Sequence, residues 1–245
     1  MTTSSEIKSL NEYTLLVNEL ASSGSDLILF RGQTNDDELL PGIGRKIKDE
    51  YGNFVSPKIF KDTEQSMLDL FHKRLPNYIE TSFTNSWDLL AIAQHHGMAT
   101  RLLDWTQNPL IALWFACSSS FISGNYSVIR IINTNSLNTY KYKNSDSPFN
   151  IDKTKIISPN WIAKRIANQS GLFTIHKPTE QNSMFTFLPL DEESNLDFVI
   201  HKFVVPASFR GNIIRELNSY GVNHSSVFPD VDGLCKSINW QFLKR

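Results

Sequence analysis

Only two cysteines, Cys117 and Cys235, occur in 245 residues. That count rules out a disulfide framework and leaves two thiols, each expected to be free and buried among its apolar neighbours. Long hydrophobic runs are missing too: none approaches the roughly 20 residues needed to span a bilayer. The opening Met1-Thr2-Thr3-Ser4-Ser5-Glu6 lacks a basic stretch followed by an apolar one, so no cleaved secretion signal is expected and the chain reads as cytoplasmic. A dominant charge is absent as well. With 24 Lys+Arg against 25 Asp+Glu the formal charge is -1, which excludes bulk attraction to nucleic-acid backbone or anionic membrane but not a local basic patch. The chain contains no P-loop, GxSxG, GxGxxG, HExxH or CxxC. No metal site is therefore expected, and the common hydrolase and nucleotide-binding signatures do not apply.

What remains is an ordinary globular composition, 40% hydrophobic and 20% charged, in a chain long enough to bury a sizeable core. Ser9 with Glu12 is a capping-box pattern, and Leu10, Tyr13, Leu16, Val17 and Leu20 follow at helical spacing. Leu27 to Phe30 reads as a buried strand closed by Arg31-Gly32-Gln33. Residues 34 to 57 read as irregular, with a turn at Pro41-Gly42. Phe60, Met67, Leu68 and Phe71 predict a second helix, and Ser86 caps a third that carries Trp87, Leu89, Leu90 and Ala93. Asn108-Pro109 is an N-cap with proline at the first helical position, ahead of Leu110, Leu113, Trp114 and Cys117. Strands are expected at Ser127–Ile132, Gly171–His176 and Phe198–Val205, and a helix around Ile213, Ile214 and Leu217. The polar stretch 133–150 reads as a loop or insertion. The whole predicts one α+β domain over 1–245, with its core at about 10–240: N-terminal helices plus a mixed or antiparallel sheet.

The densest polar cluster is Gln94-His95-His96-Gly97-Met98-Ala99-Thr100-Arg101-Leu102-Leu103-Asp104-Trp105-Thr106, set between two helical patterns. Such clusters are where ligand chemistry tends to sit. Arg31 at a strand end beside Gly32 suits a phosphate or pyrophosphate, or else a structural carboxylate such as Asp104. Adjacent helical histidines diverge by about 100°, so His95 and His96 are not read as a metal pair. One of them serves as acid/base and the other orients the loop. Arg101 and Asp104 are candidates for a mutual ion pair or for ligand contact. Trp105 is a base-stacking or a core side chain. Alternation puts Thr174 and His176 on one face of their strand, opposite Phe173 and Ile175, so that polar face meets either a ligand or solvent. Asp230 and Asp232 flank a turn, and capping the following helix accounts for one of them.

Phe30-Arg31-Gly32, His96-Gly97 through Asp104-Trp105, Gln169 through His176, and Phe228-Pro229-Asp230 with Asp232-Gly233 together resemble the FRG domain. That family is named for its (F/Y)RG tripeptide and carries "QHxGxxTRLLDWTxxP", "QxGxFTxH" and "FPDLDG" blocks. The resemblance covers about residues 10 to 240. Met98-Ala99 stands where the family usually has Leu-Pro, and Val231 replaces a leucine. The arginine-glycine closing a strand is also similar to the first motif of ADP-ribosyltransferases, whose arginine holds the NAD phosphates. Phe198 to Leu217 is similar to the segment that carries their catalytic glutamate. Here that region reads Asp197-Phe198-Val199-Ile200-His201-Lys202, without the glutamate, which argues against classical glutamate-driven transfer and leaves open a histidine-containing variant, as in the tRNA 2′-phosphotransferase relatives.

This resemblance implies an ADP-ribosyltransferase-like fold. It also implies an enzyme that processes NAD or a related nucleotide, by ADP-ribosyl transfer or NAD glycohydrolysis, as in a bacterial toxin or antiphage effector. NAD is then a substrate rather than a permanently bound cofactor. The acceptor is a protein or nucleic acid, and no membrane partner is expected. Arg31, Gly32, Gln33, Thr100, Arg101, Gln169 and Thr174 would bind the nucleotide. His96, Asp104, His176 and Asp232 would supply acid/base groups and an anion for a developing oxocarbenium. The alternatives are a nucleotide-binding sensor without turnover, or a protein-interaction module in which these residues are architectural.

Overall fold

The computed structural model describes residues 6–80, 83, 85–119, 124–159 and 171–243. In chain order it contains α1 (Leu10–Ala21), β1 (Leu27–Gln33), β2 (Ile47–Lys48), β3 (Phe54–Val55), β4 (Ile59–Phe60), α2 (Thr63–Arg74) and α3 (Ser86–His95). Then come β5 (Leu102–Thr106), α4 (Pro109–Cys117), β6 (Tyr126–Thr134), β7 (Thr139–Tyr140), β8 (Lys155–Ile157) and β9 (Gly171–Ile175). The last elements are β10 (Thr179–Gln181), β11 (Met184–Thr186), β12 (Val199–Pro206), α5 (Ala207–Ser219), α6 (His224–Val227) and α7 (Val231–Leu243). This is an α+β fold.

Its spine is a seven-stranded sheet in the order β12-β6-β1-β5-β9-β8-β7, antiparallel throughout except for the parallel β7–β8 pair. Two helical cores share one face of it. Helices α1, α4 and α5 bury Tyr13, Ala112, Leu113, Ile213 and Leu217 against Phe30, Ile129, Ile131 and Val205 of the β12-β6-β1 half. Helices α2 and α3 bury Leu68, Trp87 and Leu90 against Leu102, Phe173 and Ile175 of the other half. A third apolar cluster, with Leu29, Leu39, Trp105, Ile132 and Leu190, covers the opposite face.

The seam between the halves is nearly unzipped. β1 and β6 pair along seven residues, and β5 and β9 along five, but β1 and β5 meet in register only at Phe30↔Thr106. Beyond that point the two central strands splay.

Local signals hold where they are strong. Ser9 caps α1, its hydroxyl accepting from Glu12 N at 3.2 Å, while the Glu12 carboxylate takes Lys8 N. Asn108 caps α4 through Leu110 N and Ile111 N. Three expectations are corrected. Asn85, not Ser86, caps α3, and its carbonyl oxygen accepts from Asp88 N at 2.8 Å. Phe60 lies on β4, paired with Met184 of β11, so α2 begins only at Thr63. Cys235 is exposed on α7, whereas Cys117 is buried as expected.

The 133–150 stretch is mostly loop but is pinned to the core. Trp87 stacks on Tyr142 at 4.4 Å and donates its indole N–H to Asp146 O. Gln169 lies outside the described residues. No described helix is long and apolar enough to cross a membrane.

Candidate functional site

A cavity of about 280 Å³ opens at the seam, between the C-terminal turn of α3 and the side of α4. Strand separation explains its position, since splayed strands leave floor that neither helical core covers. Arg31, Gly32, Asp104 and Trp105 lie at the seam, with Gln94 and His95 on the α3 side and Ala112 and Phe115 on α4.

Arg31 spans the gap. Its Nη1 donates to the Asp104 carbonyl oxygen at 2.8 Å, occupying an acceptor that a continuous ladder would pair with backbone. The Arg31 Nε is buried and has no partner among the described residues. Burial pushes this guanidinium down to about 10, the Asp104 carboxylate opposes that, and Arg45 and Arg130 add to it. It stays charged at neutral pH, with donor capacity left to give.

Gly32 has a packing reason. A Cβ built there falls 1.8 Å from Ala112 O and 2.7 Å from Ala116 N, so α4 crosses β1 where only glycine fits. The glycine after Arg31 therefore lets a helix approach, and its place in the cavity wall follows from that.

The loop 96–101 aims Asp104. Gly97 (φ 90°) closes α3: its N–H bonds Gln94 O, and Met98 N bonds Ala93 O at 2.9 Å, a Schellman cap. The chain then turns back through Thr100, whose hydroxyl donates to Gln94 Oε1 at 2.7 Å and accepts from Leu102 N. Gln94 Nε2 in turn donates to the exposed Asp104 carboxylate at 3.2 Å. Thr100 thus acts on the cavity through Gln94 and is itself fully buried.

Of the paired histidines it is His95 that lines the cavity. His96 is the C-cap, exposed on the far side near Met98, Arg74 and Tyr78. The rings lie edge to face at 5.0 Å. Sequence reasoning favoured His96 and missed His95 because Trp87 through Ala93 are all buried. A helix without a polar face gives no phase from which to read its end.

Arg101 does not reach the cavity. It is 1% exposed, with Nε 2.7 Å from Glu64 Oε2, its own N–H on Glu64 Oε1, and its guanidinium 4.8 Å from the Phe149 ring. Its ion-pair partner is Glu64 rather than Asp104. Gln33 lies outside the cavity lining and donates to Asp37 O. Asp232 is exposed in the first turn of α7, while Asp230 caps that helix by accepting from Gly233 N at 2.7 Å. The turn's Phe228 packs on Trp114 and Phe115, so this block buttresses the α4 wall.

The polar face of β9 meets neither solvent nor the cavity. The Trp105 indole N–H donates to Thr174 Oγ1 at 3.1 Å, and Thr174 Oγ1 lies 3.1 Å from His176 Nε2. Thr174 and His176 are both fully buried. The threonine can donate to Nε2 when the imidazole keeps its proton on Nδ1, which is buried without a hydrogen-bond partner among the described residues and lies 3.6 Å from Glu193 Oε1. Burial, then the nearby Arg31 charge, push His176 down to about 3 from its usual 6.5.

That shift has a measurable sign. The folded protein keeps His176 neutral while the unfolded chain protonates it near 6.5. Its contribution is therefore complete above pH 6.5 and is lost as pH falls toward 3. Denaturant titrations should show wild type losing about 2 kcal/mol more than His176→Asn between pH 7 and 5. Equal losses in the two proteins would contradict a neutral buried imidazole.

Among the described residues, no group of three His, Cys, Asp or Glu converges as a metal site. No curated protein and no solved structure matches the chain. A family model does match, the FRG domain, over residues 26–123. The match takes in every cavity-lining residue except Phe173 and ends before the Gln169–His176 and Phe228–Gly233 blocks. Residues 26–123 thus match the FRG domain, and the cleft at the β1–β5 seam is lined almost entirely by that segment.

Proposed function

We propose that the seam cleft binds NAD or a related nucleotide and breaks its N-glycosidic bond, transferring ADP-ribose or hydrolysing NAD. One observation carries this reading: Arg31, Asp104 and His95 line a single cleft that also has aromatic walls, Phe30, Trp105, Phe115 and Phe173. The Arg31 guanidinium, with an unpartnered Nε, is suited to a pyrophosphate oxygen. Aromatic walls suit a planar base. As the bond between the anomeric carbon and the nicotinamide nitrogen breaks, its electron pair leaves with nicotinamide and positive charge develops on the ribose. The Asp104 carboxylate, aimed by Gln94, offsets that charge. Water or an acceptor hydroxyl then attacks the anomeric carbon and gives its proton to His95.

The segment similar to the glutamate-bearing block forms the edge strand β12 and α5, with β6 between it and β1. The carboxylate in this scheme is Asp104 instead. Such an activity suits a cytoplasmic bacterial toxin or antiphage effector that depletes NAD or marks a macromolecule.

Nicotinamide release from NAD, followed by chromatography, tests the scheme. Wild type should release nicotinamide. Asp104→Asn should slow release by about 100-fold or more while still binding NAD, and Arg31→Ala should lose binding and release together. Absence of both binding and release in the wild type would overturn it.

A further inference from the structure

The β2–β3 hairpin exposes large apolar side chains, Ile47, Tyr51, Phe54 and Val55. Ile47 pairs with Val55 and Lys48 with Phe54, so each face carries large apolar groups. Ile47 is 54% exposed, Phe54 68%, and Tyr51 at the tip 81%. The pair forms a sheet of two strands, joined to neither of the others. Two-stranded ribbons are marginal alone, and clustered exposed apolar groups usually mark a contact surface.

Charge indicates the kind of contact. Between residues 45 and 61 stand Arg45, Lys46, Lys48, Lys58 and Lys61 against Asp49 and Glu50, a local +3 in a chain whose total is -1. Asp49 is committed to the turn, accepting from Tyr51 N at 2.9 Å and Asn53 N at 2.8 Å. Lys48 Nζ sits 5.3 Å from the centre of the Phe54 ring, so cation and aromatic are already side by side. Cations interleaved with exposed rings match unpaired bases strung on phosphates, and suit a neutral apolar protein surface less well.

We propose that the β2–β3 hairpin is a docking site for single-stranded nucleic acid, with bases stacking on Tyr51 and Phe54 and phosphates meeting Arg45, Lys46 and Lys48. The root of the hairpin is fastened beside the loop that aims Asp104: Ile43 N bonds Thr100 O at 3.1 Å, and Arg45 Nε bonds Leu40 O at 3.0 Å.

Fluorescence anisotropy with a labelled 20-residue oligothymidylate tests this. Wild type should bind with log K falling against log salt at a slope of about -2, three cations at ~0.7 each. Tyr51→Ala and Phe54→Ala should each weaken binding about tenfold, and Lys46→Glu with Lys48→Glu should flatten the slope. Both faces of the hairpin are solvated, so these variants should keep the wild-type circular dichroism. Arg31→Ala should bind the oligonucleotide like wild type, and the hairpin variants should keep any NAD chemistry, so this site and the cleft succeed or fail separately. No binding at 50 mM salt, equal affinity in the aromatic variants, or tighter binding of a duplex would each overturn the proposal. So would a hairpin-dependent protein contact without oligonucleotide binding.

Discussion

Arg101→Ala is expected to destabilise the protein by about 3–5 kcal/mol, a large part of the 5–15 kcal/mol that separates folded from unfolded domains. Arg101 and Glu64 are 1% and 2% exposed, and their contact at 2.7 Å joins the loop after α3 to the first turn of α2. Burial already raises the Glu64 carboxyl, and the Arg101 charge opposes that rise. Taking the guanidinium away leaves a desolvated carboxylate whose remaining bond is to the Arg101 backbone N–H. Replacing both residues with apolar groups of similar volume removes the orphan along with the pair, so Arg101→Met with Glu64→Leu should recover most of the loss. Urea unfolding checks both variants. A loss below about 1 kcal/mol in Arg101→Ala would show that water reaches the pair.

The second large effect is Gly32→Ala. The added carbon would stand 1.8 Å from Ala112 O and 2.8 Å from Ala112 C, both backbone atoms of a helix buried in the core. No rotamer change relieves such a clash; α4 itself must move. Overpacking on this scale costs at least ~3 kcal/mol, or roughly 6–12 °C in Tm for a chain of this size. Thermal unfolding decides it. A Tm within 2 °C of wild type would mean that α4 lies farther from β1 than described.

How much of this was legible in the sequence follows from how local each signal is. Ser9, Asn108 and Pro109 act within one helical turn, so α1 and α4 could be read directly. Alternation placed Thr174 and His176 together on one face of β9, and the structure bonds them to each other. Their burial was not legible, because it depends on Trp105 and Glu193, which reach them from other elements. Arg101 finds its partner 37 residues upstream, and the nearer Asp104 was the natural guess from spacing. The seam itself is a failure of pairing between β1 and β5, and one strand's composition says nothing about where its neighbour diverges. Asp232 was placed by its motif, but the turn that carries it supports the wall of the cleft from behind. Arg31 and Asp104 stand out in the sequence as charged groups amid apolar residues, and the structure brings both to the lining of one cavity.

The most direct test of the central claim is calorimetric titration of ADP-ribose, which carries the pyrophosphate without the reactive nicotinamide, into wild type and Arg31→Gln at matched stability. Loss of one charge-assisted contact predicts binding weaker by about tenfold to 100-fold in the variant, with the wild-type affinity falling as salt rises. Equal affinity in the two proteins, or no binding to either, would show that the Arg31 guanidinium serves only to bridge the seam.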